Sequence, residues 1–260
     1  MILKALHRLL ELMGISWVTF WDNLTGLPFY YRDWRKFKRQ RGSDTTFRLG
    51  TPYPVLNERS SESATVSRLY FYQDLHVAGL IFKNQPERHV DVGSRIDGFV
   101  AHVAVFRPIE VLDVRPQSMS VENVVFRQAD LMTLPDDMLD YCDSISSLNA
   151  IEHFGLGRYG DPIDYFGYRK AIRNITKILR KGGTFYFSVP IGKQRVEFNA
   201  HRVFAVAYLL ELFEPDYRTK SFSYIDDAGN FHQDVAVDEA SVKNNYGCRF
   251  GCGIFELVKK

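Results

Sequence analysis

The stretch HVDVGSRIDGFV, residues 89–100, decides the fold. His89–Val92 reads as a short β-strand, Gly93 and Ser94 turn the chain, and Phe99 to Phe106 reads as a helix. A strand that ends in an acid and runs through a glycine turn into a helix is the opening unit of an open α/β sheet. Ligands bind there, outside the carboxyl ends of the strands. Gly93 and Gly98 are too far apart for the G-x-G-x-x-G dinucleotide fingerprint. Arg95 and Ile96 also stand where backbone would meet a pyrophosphate. NAD and FAD are disfavoured.

Downstream, short apolar runs alternate with helical stretches. Strands are expected at Ile109–Leu112, Val124–Phe126, Ser144–Leu148 and Thr184–Val189, and near Tyr217–Tyr224 and Ile254–Val258. Helices are expected over about Tyr165–Leu179, stopped by Lys181-Gly182-Gly183, and over Val203–Phe213. This alternation implies parallel pairing through right-handed crossovers. The last two strands lack an obvious helix between them, so an antiparallel edge strand is expected. Upstream, Val66 to Phe82 has helical periodicity, with Leu69, Tyr72, Leu75, Leu80 and Phe82 as expected core contacts. Residues 42–65, rich in Gly, Ser, Thr, Pro and Glu, read as an irregular connection.

The division expected is an N-terminal helical and aromatic extension with its connector over 1–66, and a doubly wound domain over 67–260. Ile2, Leu3, Leu6, Leu9, Leu10 and Met13 recur at helical spacing, with Lys4, Arg8 and Glu11 on other faces. That pattern is amphipathic rather than a signal peptide. Arg32, Arg35, Lys36, Lys38, Arg39 and Arg41 are then interleaved with Tyr30, Tyr31, Trp34 and Phe37. Two readings stand for residues 1–41: packing on the main domain or a second copy of the chain, and peripheral contact with a membrane surface.

Composition sets bounds. With 260 residues, 45% of them hydrophobic and 25% charged, the chain can bury one sizeable core. A net charge of +2 gives no argument for a nucleic-acid partner. Cys142, Cys248 and Cys252 cannot all pair within the chain, so reduced thiols and a cytoplasmic location are expected. Cys248 and Cys252 lack partners at zinc spacing, and no metal site is read. No phosphate-cradling loop or serine nucleophile elbow appears.

The strand ends carry the chemistry. Strand one ends in Asp91-Val92-Gly93-Ser94, strand two in Asp113, strand three in Ala129-Asp130-Leu131, and strand four in Asn149-Ala150-Ile151-Glu152-His153. Each has a structural alternative. Asp91 or Ser94 would serve equally to cap the following helix, Asp113 a turn before Pro116, Asp130 as an ordinary loop acid, and Gly98 in helix–strand packing. His153 and His201 lie on segments that close over the strand ends and are the candidate bases, with Glu152 a rival.

HVDVGSRIDG, IEVLDVRP, FRQADLMTLP, AIRNITKILRKGGTFYFSVP and FNAHRVFAVAYLLELF together resemble the class I S-adenosylmethionine-dependent methyltransferases, along residues 88–225. HVDVGSRIDGFV is also similar to a bacterial group of methyltransferase-like proteins associated with surface-polysaccharide synthesis. The resemblance implies a Rossmann-like domain that binds S-adenosylmethionine and methylates a hydroxyl of a saccharide or other small polar acceptor. It implies that Asp91 faces the methionine ammonium and Gly93 lets the backbone approach the cofactor. Ser94, Gly98 and Asn149 belong to the same site. Asp113 takes the ribose diol and Asp130 the adenine amine. The family has small residues where this chain has Arg95 and Asp97. Arg95 is therefore expected to turn away from the crevice. The alternative is a catalytically altered scaffold or sugar-nucleotide-binding protein, with Arg95 bonded to Asp91 or Asp113.

Overall fold

The computed structural model describes residues 10–14, 16–44, 49–56 and 67–260, without the side chains of Val18 and Asp22. Most of the expected N-terminal amphipathic helix, and 45–48 and 57–65 of the connection, lie outside the described residues. The chain divides into two units, Met1–Val66 and Ser67–Lys260.

In the first unit, helix α1 spans Trp17–Arg41, and Ser16 caps it by accepting from the backbone N–H of Thr19. Gly26 is required where the chain returns, because a Cβ there would meet the backbone oxygen of Leu56 at 2.7 Å. The helix exposes Trp17, Phe20, Trp21, Tyr31 and Phe37. Its last turn carries Lys38, Arg39 and Arg41, which suit the negative end of the helix dipole.

In the second unit, helix α2 (Arg68–Asn84) precedes strands β1 (His89–Val92), β2 (Ile109–Asp113), β3 (Val124–Gln128), β4 (Cys142–Leu148) and β5 (Leu179–Ile191). A π-turn over Ile96–Val100 leads into the short helix α3 (Ala101–Ala104), where one helix was expected. Helix α4 (Gly167–Ile178) lies between β4 and β5. After β5 come β6 (Arg195–Glu197), β7 (His201–Val203), α5 (Val206–Phe213), β8 (Tyr217–Ile225), β9 (Phe231–His232), α6 (Glu239–Lys243) and β10 (Gly251–Lys259).

The main sheet has the order β3-β2-β1-β4-β5-β10-β8-β9. Pairing is parallel from β3 to β5. The strand β10 then runs antiparallel to both β5 and β8, and β9 closes the edge antiparallel to β8. The antiparallel pairing expected of the last two long strands is present. The reversed strand β10 is interior, however, and the edge belongs to the two-residue β9. Strand order reverses between β1 and β4, which opens a crevice at their carboxyl ends.

Alternation along the strands feeds two cores. Phe185, Phe187 and Val189 of β5 face α4 and α5, with Ile172, Ile175, Leu209 and Phe213. Tyr186 faces α2 and α3, with Val77, Ile81, Phe99 and Val103. The core face of α2 is only partly the expected one: Leu69 and Leu80 pack against the core, but the buried centre of the face is formed by other residues. Gln73, Asp74, Val77, Ala78 and Ile81 are buried, while Tyr72, Leu75 and Phe82 are exposed. The polar pair wins the inward position because it is satisfied there: Gln73 Nε2 donates to Asp74 Oδ1 at 3.0 Å, and Gln73 Oε1 accepts from Ser188 and Asn149.

Two further boundaries differ. The Gly182-Gly183 pair is not a helix stop. The chain enters β5 at Leu179, and the register jumps from the Cys142–Leu179 pair to the Ser144–Thr184 pair, so the glycines absorb a bulge. The last major helix starts at Val206 rather than Val203, because His201–Val203 pairs with Arg195–Glu197 as a hairpin.

Candidate active site

The crevice at the switch point is built from four strand ends. Gly93 follows β1 with φ +74°, where a Cβ would meet the Ala150 Cβ at 3.0 Å, so both conformation and space require glycine. Ser94 is buried beside it. Asp91 departs from its expected role. It is fully buried, accepts from Ser94 N, Ser94 Oγ and Ser146 Oγ at 2.9, 2.7 and 2.5 Å, and does not line the crevice. Burial pushes its carboxyl up to about 6, against the lowering effect of the serines. Its work is to tie the first loop to β4. Gly98 likewise lies outside the crevice. A Cβ there would meet Asp74 Oδ2 at 2.6 Å, so the glycine lets α2 approach the π-turn.

The first of two adjoining cavities lies between the ends of β2 and β3. Asp113, Asp130 and Asp161 line it together with Leu112, Ala129, Leu131 and Phe154, giving three carboxylates and apolar walls. Asp130 Oδ1 accepts from Met132 N at 2.9 Å. Arg115 crosses the front of Asp113, with Nε to Oδ1 at 3.0 Å and Nη2 to Oδ2 at 2.6 Å, and its guanidinium lies 4.4 Å from the Tyr159 ring centroid. The arginine covering the acid is therefore Arg115. Arg95 instead pairs with Asp97 at 2.8 Å, with its side chain 60% exposed, turned away from both Asp91 and Asp113.

The second cavity is polar and shares Gly93, Arg115, Asn149, His153 and Tyr159 with the first. Asn149 ends β4 at φ +49° and donates its side-chain amide to Gln73. His153 sits on the 3₁₀ turn Ile151–His153, which Arg202 holds from below by donating to the backbone oxygens of Phe154 and Glu152. His153 Nδ1 donates to the Ala200 oxygen at 2.6 Å, which leaves Nε2 with a lone pair. Burial lowers this ring to about 4, so it is neutral near pH 7. His201 also lines the second cavity, lowered by burial, with Nε2 3.1 Å from Glu197 Oε2.

Glu152 is the unusual member. It is 2% exposed, lines the second cavity, and its Oε2 has no hydrogen-bond partner among the described residues. Burial pushes its carboxyl up to about 8. The folded protein thus holds this proton up to about pH 8, while the unfolded chain releases it near the ordinary value of 4.5. Between those values the unfolded state binds fewer protons, so this group makes stability fall as pH rises. Glu152→Gln is expected to flatten that fall in urea unfolding compared at pH 5 and pH 8. An equal loss in both proteins would contradict the assignment.

Arg115, Arg158 and Tyr159, together with Gln73 on α2, were not singled out by sequence reasoning. The available signal was the spacing Asp113-x-Arg115, which places an arginine one turn beyond the strand-end acid.

A family described as a Caenorhabditis protein of unknown function, DUF268, matches residues 112–233. That segment carries Asp113, Asp130, Asn149, His153 and His201 but not the first loop. No curated protein sequence matches the chain. A solved structure of Burkholderia thailandensis 1,6-didemethyltoxoflavin-N1-methyltransferase, with bound 1,6-didemethyltoxoflavin and S-adenosylhomocysteine, aligns with a TM-score of 0.52 at 12% identity, covering 73% of this chain and 79% of that one. The second unit has the class I methyltransferase fold. The N-methyltransferase NodS from Bradyrhizobium japonicum WM9, in complex with S-adenosylhomocysteine, aligns with a TM-score of 0.47 at 14% identity, covering 86% of this chain and 97% of that one.

Proposed function

We propose that the chain is an S-adenosylmethionine-dependent methyltransferase. The observation that carries this reading is the first cavity: Asp113 and Asp130 flank apolar walls at the ends of β2 and β3, and the cavity joins a polar one beside Gly93. The donor set suits an adenosine. Asp113 offers two carboxylate oxygens to a ribose diol, Asp130 keeps Oδ2 for an adenine amine, and Leu112, Leu131 and Phe154 cover a ring. Gly93, Ser94 and Asn149 hold the methionine end in this reading, since Asp91 is spent on the loop. Bound S-adenosylmethionine supplies a methyl group already activated on a sulfonium.

Alignment contributes most of the remaining acceleration. The rigid turn at Ile151–His153 fixes His153 between the two cavities, where its free Nε2 accepts the proton of an acceptor hydroxyl. His201 bounds the acceptor side. Polar lining by Gln73, Asn149 and Glu152 favours a hydroxyl-bearing acceptor, a saccharide or other small polar molecule. Its assignment to surface-polysaccharide synthesis rests on the resemblance of residues 89–100 alone.

The second reading, a non-catalytic scaffold or sugar-nucleotide binder, is favoured by Arg115 across Asp113. That pair is bidentate, with the Arg115 side chain 50% exposed and that of Asp113 13%, so a ribose diol has to displace a charge-assisted fork whose arginine can swing into solvent. Thermal unfolding with separate additions of S-adenosylhomocysteine, NAD and a uridine diphosphate sugar tests the choice. At a hundredfold excess over Kd the correct ligand adds about 2.7 kcal/mol. Stabilisation by the sugar nucleotide alone would overturn the methyltransferase reading.

We also propose that residues 1–41 form a docking element, for another copy of the chain or a membrane surface. No helix among the described residues is long and apolar enough to cross a membrane. The exposed aromatics of α1 are too many to leave in water. Deleting 1–41 is expected to lower the melting temperature or the oligomeric mass. Unchanged stability and mass with lost liposome binding would assign the element to the membrane surface.

A further inference from the structure

We propose that the second cavity is an anion site that takes the phosphate of a phosphorylated acceptor between Arg158 and Arg115. This rests on the methyltransferase reading and names the acceptor class for that site.

Both guanidinium groups lie against one ring, Arg115 at 4.4 Å and Arg158 at 5.2 Å from the Tyr159 centroid, and both line the second cavity. Two guanidinium groups lining one cavity give it a positive potential that favours an anion. Arg115 already has a carboxylate. Arg158 has none among the described residues: its Nη1 donates to the Ala200 backbone oxygen at 2.9 Å and lies 3.3 Å from His153 Nδ1. The rest of its donor fork is available. Of the acids on the same walls, Glu152 is buried and desolvation pushes its carboxyl up to about 8, and among the described residues neither it nor buried Asp74 lies within ion-pair distance of Arg115 or Arg158. Arg95, also on this cavity, adds a third guanidinium, balanced by Asp97. Two arginine forks present more N–H donors than one carboxylate can accept, which suits a phosphate with its three acceptor oxygens.

Arg115 links the two cavities. It lines both, and its carboxylate partner is the acid proposed to take the ribose diol. When a diol engages Asp113, Arg115 loses that partner at the border of the second cavity and turns to an anion there. Nucleoside binding and phosphate binding then strengthen each other, by thermodynamic reciprocity.

The test is calorimetric titration of inorganic phosphate and glycerol phosphate into the full chain, with and without saturating S-adenosylhomocysteine. Binding is expected in both states, tighter by about fivefold or more with S-adenosylhomocysteine present. Arg158→Gln is expected to weaken phosphate binding by about tenfold to a hundredfold, with Arg158→Lys intermediate and the affinity for S-adenosylhomocysteine held. Absent phosphate binding, or phosphate binding unchanged in a folded Arg158→Gln protein, overturns the site. Competition between phosphate and S-adenosylhomocysteine overturns it too, since the arginines would then serve the cofactor's own carboxylate. Phosphate binding that depends on Arg158, without any S-adenosylhomocysteine binding, overturns the cofactor reading and leaves the anion site standing.

Discussion

Replacing His153 by alanine is expected to lower the turnover of methyl transfer by about 10²–10⁴-fold, the usual contribution of a positioned general base. The expectation follows from the ring's bonding. Nδ1 is committed to the Ala200 oxygen, so the neutral ring has one tautomer and Nε2 is the acceptor. The nearest carboxyl oxygen to Nε2 in the pair with Glu152 is 3.7 Å away, too far for a hydrogen bond. The measurement is transfer of tritiated methyl from S-adenosylmethionine to small phosphorylated and unphosphorylated sugars. His153→Gln, which cannot accept a proton at that position, should lose as much as alanine. Affinity for S-adenosylhomocysteine should be nearly unchanged in both. A melting temperature lowered in proportion, with turnover intact, would make His153 a structural residue bonded to Ala200.

Asp113→Ala is expected to weaken S-adenosylhomocysteine binding by about 5- to 150-fold, because two ribose hydroxyls lose their acceptors at a cost of about 1–3 kcal/mol. The substitution also frees Arg115, so a second variant separates the two effects. Arg115→Ala leaves Asp113 without its competitor and should hold or modestly strengthen the same binding. If Asp113→Ala binds as tightly as the native chain while remaining folded, Asp113 exists to hold Arg115 and the ribose role is wrong.

The architecture was legible because its signals are local. Apolar runs at β1, β2, β4 and β5, ended by Gly93, Asp113, Asn149 and Pro190, mark parallel strands with loops at one end, and β1, β2 and β4 begin and end within two residues of those runs. What escaped was decided by tertiary context. On α2 the expected Leu69 and Leu80 do pack on the core, but Tyr72, Leu75 and Phe82 do not, because Gln73, bonded to Asp74 and to Ser188 over a hundred positions away, takes the inward position. The hairpin β6–β7 was missed because its three-residue strands are too short for periodicity to show. The same limit applies at the site. Which residues gather at the strand ends follows from the order of the strands, and Gly93, Asp113, Asp130, Asn149 and His153 do line one crevice. Whether an acid points into that crevice depends on neighbours in space. Ser94 and Ser146 turn Asp91 to the loop, and Arg115, only two residues from Asp113, reaches back across it.

We propose that the first cavity, at the ends of β2 and β3, binds an adenosyl cofactor. Calorimetric titration of the unmodified chain with S-adenosylhomocysteine tests it most directly. Saturable one-to-one binding, lost when the nucleoside's 2′- and 3′-hydroxyls are removed and insensitive to added NAD, is the result the structure leads us to expect. Absence of binding by a folded protein, or binding that ignores the diol, would contradict it.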